Sequence, residues 1–403
     1  MHQAFPGMPP FLRCSAVLAV CLAGFLAGCA SPPLQSARAN FYASRFEQAN
    51  TNLAAIPKDN KDEILYLMER GMIRQNLGQY ESSALDWRRA GDLDAKLDTY
   101  SVFQGASSLI VNDRTLSFRG MPFERTLMYA FLAKDYLADS NWDYAAICAR
   151  NIIKKLEALD GFPDIAYGRY MAGFCLELIN DEGNATIQYR AAERLLTSNV
   201  LIDPLSGDIM PTTNVVKATI SIAKAALQTE PAELVCFITM GRMPAGSTGS
   251  PQVGKTYGEF YSQFPPYAEI YGNDEYLGRS YPFANTAALM DASQRRLAAI
   301  QLAKDATRIA TKIAISEAVK QQNGTLGALV WLALFAMEAP DTRCWETLPL
   351  WLEVARVPCP ADLKSYTVVF KSAAGATLGS KVITAPIARR GHTFISFCRD
   401  VGR

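Results

Sequence analysis

The sequence predicts a mainly α-helical protein with a β-rich C-terminal part, which is an α+β chain. Two observations lead to this prediction. Helical periodicity with recurring small residues fills residues 41–230, which is typical of an irregular solenoid of helical hairpins. Short segments rich in β-branched and aromatic residues, separated by proline and glycine, fill residues 346–400, and we expect them to form a small antiparallel sheet packed on helices.

The first 28 residues predict a signal peptide. Arg13 is followed by an apolar run that is too short to span a bilayer and that ends in "LAGC". These small residues before Cys29 resemble the bacterial lipobox, which makes Cys29 the expected lipid attachment site and residues 29–40 a lipidated tether. Acyl chains hold a protein to a membrane at about 0.8 kcal/mol per buried methylene. The alternative is an ordinary export signal in which Cys29 is incidental.

This start predicts the localisation, which is the bacterial cell envelope. Ala30 follows the cysteine, which resembles lipoproteins sent to the outer membrane, and we expect the chain to face the periplasm. The sequence does not distinguish the periplasmic orientation from a surface-facing one.

Charge and histidine content exclude several functions. Removing Arg13 with the signal peptide lowers Lys+Arg from 40 to 39, against 39 Asp+Glu, so the mature chain is neutral and lacks the basic footprint of a nucleic-acid binder. Only His392 remains, which excludes a multi-histidine metal site and argues against a Ser-His-Asp centre. We therefore expect no metal, no cofactor and no catalytic residue.

Six cysteines remain after the signal peptide and Cys29, without a CxxC spacing. Export permits disulfides, but six cysteines allow 15 pairings, and buried free thiols are the alternative. The sequence leaves the pairing open for Cys148, Cys175, Cys236, Cys344, Cys359 and Cys398.

The helical region contains three units that match the tetratricopeptide (TPR) pattern. In the first unit, Gly71 takes the small position of the first helix, while Ser83 and Trp87 take the small and aromatic positions of the second. The position of Ser83 recurs at Ala145 and Ala185, at intervals of 62 and 40 residues against about 34 in a regular array. The array is therefore TPR-like but irregular, and residues 41–56 predict one more helix before it.

The long first interval contains an inserted polar segment. Asn112, Asp113, Arg119 and Glu124 lie in it and form either a partner-binding surface or a turn with a helix start. The "DTRCW" turn with Asp341 and Arg343 has the same two readings. If both are structural, the two arginines should be ion-paired and largely buried, with Glu124 or Asp341 among their partners.

The C-terminal domain, residues 231–403, has three predicted parts, of which the last is the β-rich region at 346–400 described above. A strand over 233–240 leads into a flexible loop that extends to 285, and residues 286–338 predict helices. The apolar run at 325–337 is too short to cross a bilayer and predicts a buried helix.

The stretch from Gly249 to Thr256, "GSPQVGKT", matches the phosphate-loop pattern GxxxxGK[ST]. A working loop joins a strand directly to a helix, whereas the predicted strand ends near Met240 and "YGEFYSQFPP" follows Thr256. We therefore predict no nucleotide binding.

Two segments resemble an uncharacterised family of bacterial TPR-like (tetratricopeptide-like) envelope lipoproteins. They are "NDRTLSFRGMPFE" (Asn112 to Glu124) and "DTRCWETLPLWLEVARVPCP" (Asp341 to Pro360), with Phe118 where Tyr is expected. The resemblance implies helical repeats plus a C-terminal β region in the cell envelope, and no catalytic residues.

The sequence therefore predicts a non-enzymatic, lipid-anchored scaffold or adaptor that binds other cell-envelope proteins through its repeats. The identity of the partner, the pathway and the oligomeric state stay open. The alternative is an envelope enzyme that acts on glycan or peptidoglycan with a pair of carboxylates, which would require two convergent acids in a pocket.

Overall fold

A computed structural model of the protein describes residues 32–56, 60–103, 117–196, 200–212, 232–243, 265–300, 343–384 and 388–401. Helices form its N-terminal half and strands most of the remainder. The helices are α1 (Pro32–Tyr42), α2 (Phe46–Asn52), α3 (Glu63–Asn76), α4 (Tyr80–Phe103), α5 (Pro122–Ala138), α6 (Trp142–Glu157), α7 (Ala166–Glu177) and α8 (Glu182–Leu195), with α9 at residues 286–300.

The predicted helical hairpins are present as α3–α4, α5–α6 and α7–α8. In the first hairpin, a Cβ added at Gly71 would lie 2.7 Å from the Trp87 ring, so only glycine permits this approach of the two helices. Ser83 Oγ donates to the Gly71 carbonyl at 2.8 Å and accepts from Trp87 Nε1. Gly173 packs against Tyr189 of the third hairpin in the same way.

The N-terminal segments differ from the prediction. Residues 32–40, expected to belong to a tether, lie in α1, where Leu34, Ala37 and Phe41 are buried at helical spacing. Residues 41–56, expected to form one helix, are divided between the end of α1 and α2. The break includes Ser44, whose φ of 58° is incompatible with a continuing right-handed helix.

The β-strands form two larger sheets and one short hairpin. The hairpin is β1 with β2; the five-stranded sheet has the order β10-β11-β3-β7-β6, and the four-stranded sheet has the order β5-β4-β8-β9. The strands are β1 (Val200–Ile202), β2 (Ile209–Pro211), β3 (Ala232–Met240), β4 (Tyr267–Gly272), β5 (Glu275–Arg279), β6 (Tyr281–Asn285), β7 (Trp351–Cys359), β8 (Tyr366–Lys371), β9 (Thr377–Ile383), β10 (Ala388–Arg390) and β11 (Thr393–Asp400).

The predicted antiparallel β region is present among the described residues, but it is larger than predicted: it forms two sheets, in which every strand pair except one is antiparallel. Strand β11 pairs parallel with β3, and this long-range pairing joins chain segments about 160 residues apart, which no local periodicity specifies. The predicted strand residues 233–240, 352–357, 366–370 and 393–399 lie in strands, whereas Ser365 and His392 lie just before β8 and β11. The predicted flexible loop up to residue 285 is wrong in its last part, which contains β4, β5 and β6, and the β1–β2 hairpin lies within the region predicted to be helical to residue 230.

The five-stranded sheet is buried on both faces. On β3, Val235 and Phe237 face the helices, while Leu234, Cys236 and Ile238 face the four-stranded sheet. The α-helical and β-rich halves thus share one hydrophobic core.

Among the described residues, no helix is long and apolar enough to span a membrane. The six cysteines after Cys29 are free and buried thiols. The phosphate-loop match at 249–256 and the predicted helices beyond residue 300 lie outside the described residues.

Candidate functional site

The segment at residues 343–348 packs against α1, α3, α4 and α5. Its Trp345 is fully buried, with ring centroids 5.2 Å from Trp87 and 5.5 Å from Phe131. Since Trp87 and Phe131 belong to α4 and α5, this side chain joins two neighbouring hairpins. We call residues 343–348 the corner segment.

Charged side chains from the helices bind the backbone of the corner segment. The Glu69 carboxylate accepts from the backbone N–H groups of Glu346 and Thr347, at 3.0 and 3.2 Å, and also from Arg38 Nε at 2.7 Å. Arg38 in turn donates to the Cys344 carbonyl at 2.7 Å. The corner segment therefore occupies the inner face of the repeats at this place, much as a bound peptide would.

Glu124 plays the structural part that one reading of the sequence predicted. Its Oε2 accepts from the Met121 N–H at 2.7 Å and completes the start of α5, while its Oε1 accepts from the Trp345 N–H at 3.0 Å. The two segments that carry the family resemblance thus meet through this carboxylate.

Arg343 forms an ion pair that the sequence did not identify. Its Nη1 lies 2.5 Å from Asp62 Oδ1, and its guanidinium carbon lies 5.7 Å from the centroid of the Phe118 ring. The arginine side chain is 14% exposed. Asp62 immediately precedes α3, so this contact ties the corner segment to the first hairpin.

The other predicted site residues are only partly placed. Arg119 is half-buried just before α5. Cys29, Asn112, Asp113 and Asp341 lie outside the described residues.

An apolar ladder lies on the outer face of the repeats, which sequence reasoning missed. Leu85, Ile147 and Ile187 are 58, 47 and 57% exposed, and each is the sixth residue of the second helix in its hairpin. Each follows the small residue at Ser83, Ala145 or Ala185 by two positions, which places it on the side away from the first helix.

An exposed arginine follows each member of the ladder by three positions, which is one helical turn. These arginines are Arg88, Arg150 and Arg190. We define the outer ladder as these three aliphatic residues with these three arginines. The alignment of the repeats already contained this signal, because both positions recur at the intervals that revealed the hairpins.

A cleft of about 370 Å³ lies between the β1–β2 hairpin and the two larger sheets, and acidic side chains line it. Arg356 is almost fully buried there. It lies 2.7 Å from both Glu177 and Glu233, and 3.8 Å from Asp208. The first two carboxylates each bind the guanidinium through both oxygens.

This arrangement locks the helices to β3 and β7. Carboxylates engaged by one guanidinium are held as acceptors, whereas glycoside hydrolysis requires one of a pair to donate a proton. His392 also lines the cleft but lies in the turn between β10 and β11, rather than on the predicted strand, and its carbonyl accepts from the Glu233 N–H.

Within the described ranges, no group of three or more His, Cys, Asp and Glu side chains is placed to hold a metal ion.

No protein-family model and no curated protein sequence significantly matches the chain. Among solved structures, MamA (AMB-1) is 14% identical, and the match covers 41% of this chain and 77% of that chain at a TM-score of 0.27. The Rap conjugation gene regulator of the plasmid pLS20, in complex with the Phr* peptide, is also 14% identical, with 40% of each chain covered and a TM-score of 0.27. TM-scores this low carry no argument about function.

Proposed function

We propose that this protein is a lipid-anchored scaffold of the bacterial envelope that binds another envelope protein through the outer ladder of its TPR-like repeats. The observation that carries the proposal is the recurrence of an exposed aliphatic residue and an exposed arginine at the same register in three hairpins. Packing within a hairpin does not require either residue, because neither is buried.

The inner face is the usual alternative for a repeat protein, but the corner segment and the five-stranded sheet cover much of it. Tyr170 and Phe174 of α7 contact Phe237 of β3, and Trp345 fills the space between α4 and α5. A partner that binds without displacing these residues therefore has the outer face available.

The chemistry of the ladder specifies its partner. Burying the exposed part of each aliphatic side chain against a partner contributes on the order of 1 kcal/mol. Each arginine lies one helical turn from its aliphatic residue and can bind a carboxylate of the partner at that distance. The partner we propose is an envelope protein segment that presents aliphatic side chains next to acidic ones. Each contact is weak individually, but the same contact at three hairpins increases the affinity for one partner.

The ladder can be tested by site-specific photo-cross-linking in intact bacteria that express the full chain. A photoreactive residue replaces Ile147, and the matched control replaces Val382, which is 63% exposed on β9. We expect an adduct from position 147 only, with the cross-linked partner peptide carrying acidic and aliphatic residues. Arg88→Glu combined with Arg150→Glu and Arg190→Glu should abolish it. An adduct that survives this charge reversal, or that forms equally at position 382, would refute the proposal.

The lipid anchor is proposed at Cys29 because of the "LAGC" site. Helix α1 begins at Pro32, so the chain between them spans at most about 11 Å, and a lipid at Cys29 would hold the folded body close to the bilayer. We expect Cys29→Ser to release the folded protein from membranes, whereas Cys21→Ser, within the predicted signal peptide, should leave it bound. Membrane fractionation with circular dichroism measures both. Quantitative membrane retention of the Cys29→Ser protein would contradict the anchor.

A further inference from the structure

A second cleft, separate from the one around Arg356, lies where α3 and α5 meet β3, β9 and β11. Its volume is about 240 Å³, and three cationic side chains line it: Lys134, Lys381 and Arg399. Tyr80 lies in the same wall. Neither the outer ladder nor the corner segment contributes a residue to this lining.

Lys134 is the central feature of the cleft. It is only 4% exposed, and its Nζ lies 5.0 Å from the centroid of the Phe131 ring and 5.1 Å from that of Phe397. In the part of the chain that the structure describes, its ammonium has neither an ion pair nor a hydrogen bond. Aromatic faces attract a cation, but they do not neutralise its charge.

The adjacent acid, Asp135, forms no ion pair with Lys134 in the described part of the chain. Asp135 is fully buried, and its Oδ1 accepts from Gln75 Nε2 at 2.6 Å. Burial raises the pKa of the Asp135 carboxyl well above its usual range, which favours the neutral acid. Cys398 on β11 also lines the cleft, and burial raises the pKa of its thiol to about 11. Burial likewise raises the pKa of the Cys236 thiol, which lies on the other face of β3.

Arg399 adds a second incompletely satisfied cation. Its Nη2 donates to the Thr347 carbonyl at 2.7 Å and its Nη1 to Met72 Sδ at 3.1 Å, while its Nε is shielded from solvent without a hydrogen-bond partner among the described residues. Burial and the nearby arginine lower the pKa of Lys134 to about 7. Burial lowers the pKa of Arg399 to about 10.

We propose that this cleft binds a phosphate-class oxyanion, whose oxygens accept from Lys134, Lys381 and Arg399. Three cations around one small cleft match a multiply charged oxyanion, and a phosphate monoester carries about 1.5 to 2 negative charges at pH 7. A space of about 240 Å³ accommodates the phosphate together with a small substituent. Free phosphate and the phosphate of a lipid headgroup share this chemistry.

Calorimetry and thermal melting of the full chain in detergent test the site. We expect low-millimolar inorganic phosphate to raise the melting temperature by roughly 2–4 °C over an equal ionic strength of chloride. Lys134→Met and Lys381→Ser should each abolish or strongly reduce this rise. Lys364→Ser is the matched control, because Lys364 is exposed and outside the cleft. General salt exclusion also stabilises proteins, but it would act equally on all four proteins.

Proton uptake gives an independent readout. Since a bound anion favours the charged lysine, phosphate binding above pH 7 should draw a proton onto Lys134, and the calorimetric enthalpy should then vary with the ionisation enthalpy of the buffer. Lys134→Met should remove this dependence. If Lys134→Met fails to fold, loss of the phosphate response in folded Lys381→Ser still supports the site.

Vesicle binding distinguishes the two sources of phosphate. Cys29→Ser protein is mixed with vesicles of phosphatidic acid or of phosphatidylcholine, so that the lipid anchor does not contribute. Binding of phosphatidic acid that Lys381→Ser weakens assigns the cleft to a headgroup, whereas a response to inorganic phosphate alone assigns it to a soluble ligand. Wild-type protein that responds to neither, or a response that Lys134→Met and Lys381→Ser retain, overturns the proposal.

Discussion

Two clusters of buried charge lie within the same interface between repeats and sheet, and they are built differently. Around the corner segment, the carboxylate of Glu69 and the guanidinium of Arg38 bind each other and backbone groups of residues 344–347. In the second cleft, Lys134 and Arg399 lie together without a described carboxylate as partner. In the first cluster, hydrogen bonds and ion pairs compensate for the lost hydration of the buried charges. In the second cluster, the positive charges lack an ion-pair partner among the described residues, and a bound anion would neutralise them. We therefore assign the paired charges around Glu69 to the stability of the fold, and the unpaired cations around Lys134 to the proposed binding site.

Removing Glu69 should produce the largest effect, because it breaks the first cluster from one side. Glu69→Ala leaves the buried Arg38 with only the partly exposed Glu346 as counter-ion, and it leaves two backbone N–H groups without acceptors. Breaking a buried pair in this way costs about 3–5 kcal/mol. Chemical denaturation should show this loss, whereas Glu47→Ala, at an exposed position of α2, should change the free energy of unfolding by less than about 0.5 kcal/mol. A Glu69→Ala protein as stable as wild type would show that the corner segment does not depend on this carboxylate.

Removing the Lys134 charge should instead increase the free energy of unfolding. Replacing buried ionic groups with apolar side chains of similar size is often stabilising, on the order of 1–4 kcal/mol, and Lys134 has no ion pair to lose. Its folded-state pKa of about 7 lies below the ordinary 10.5, so the unfolded chain binds more protons between these values. The lysine therefore destabilises the fold fully below pH 7, and its penalty disappears as the pH rises towards 10.5.

Denaturation of wild type and Lys134→Met across this pH range, in phosphate-free buffer, measures the difference. The difference in the free energy of unfolding between the two proteins should narrow as the pH rises, and subtracting the two curves cancels the titration of groups that do not interact with Lys134. If the difference in the free energy of unfolding between wild type and Lys134→Met does not change with pH, Lys134 keeps its charge through some other contact.

The sequence predicted the hairpins because their determinants are local. The Gly71–Trp87 and Gly173–Tyr189 contacts occur within single hairpins, at fixed spacings, so periodicity reveals them. Neither charge cluster was predictable in this way. Glu69 binds Glu346 and Thr347 across 277 and 278 positions, and Lys134 lies near Arg399 only because β11 pairs parallel with β3. Of the candidate residues, Glu124 joins the two predicted segments through the Trp345 N–H, whereas Arg343 binds Asp62, which lies outside both segments.

Arg343→Ala should destabilise the fold less than Glu69→Ala does, and it tests how far the contact of Arg343 resembles the cluster around Glu69. Its partner Asp62 is 27% exposed, so the lost contact is a charge-assisted hydrogen bond at the edge of the core rather than in its centre. Such bonds contribute about 1.5–3 kcal/mol, and water can solvate the remaining carboxylate. We expect a melting temperature lower by several degrees, with Arg343→Lys recovering part of the loss because it keeps the charge but not the planar guanidinium over Phe118. Unchanged melting of Arg343→Ala, together with loss of the ladder-dependent cross-link, would instead assign Arg343 to partner binding.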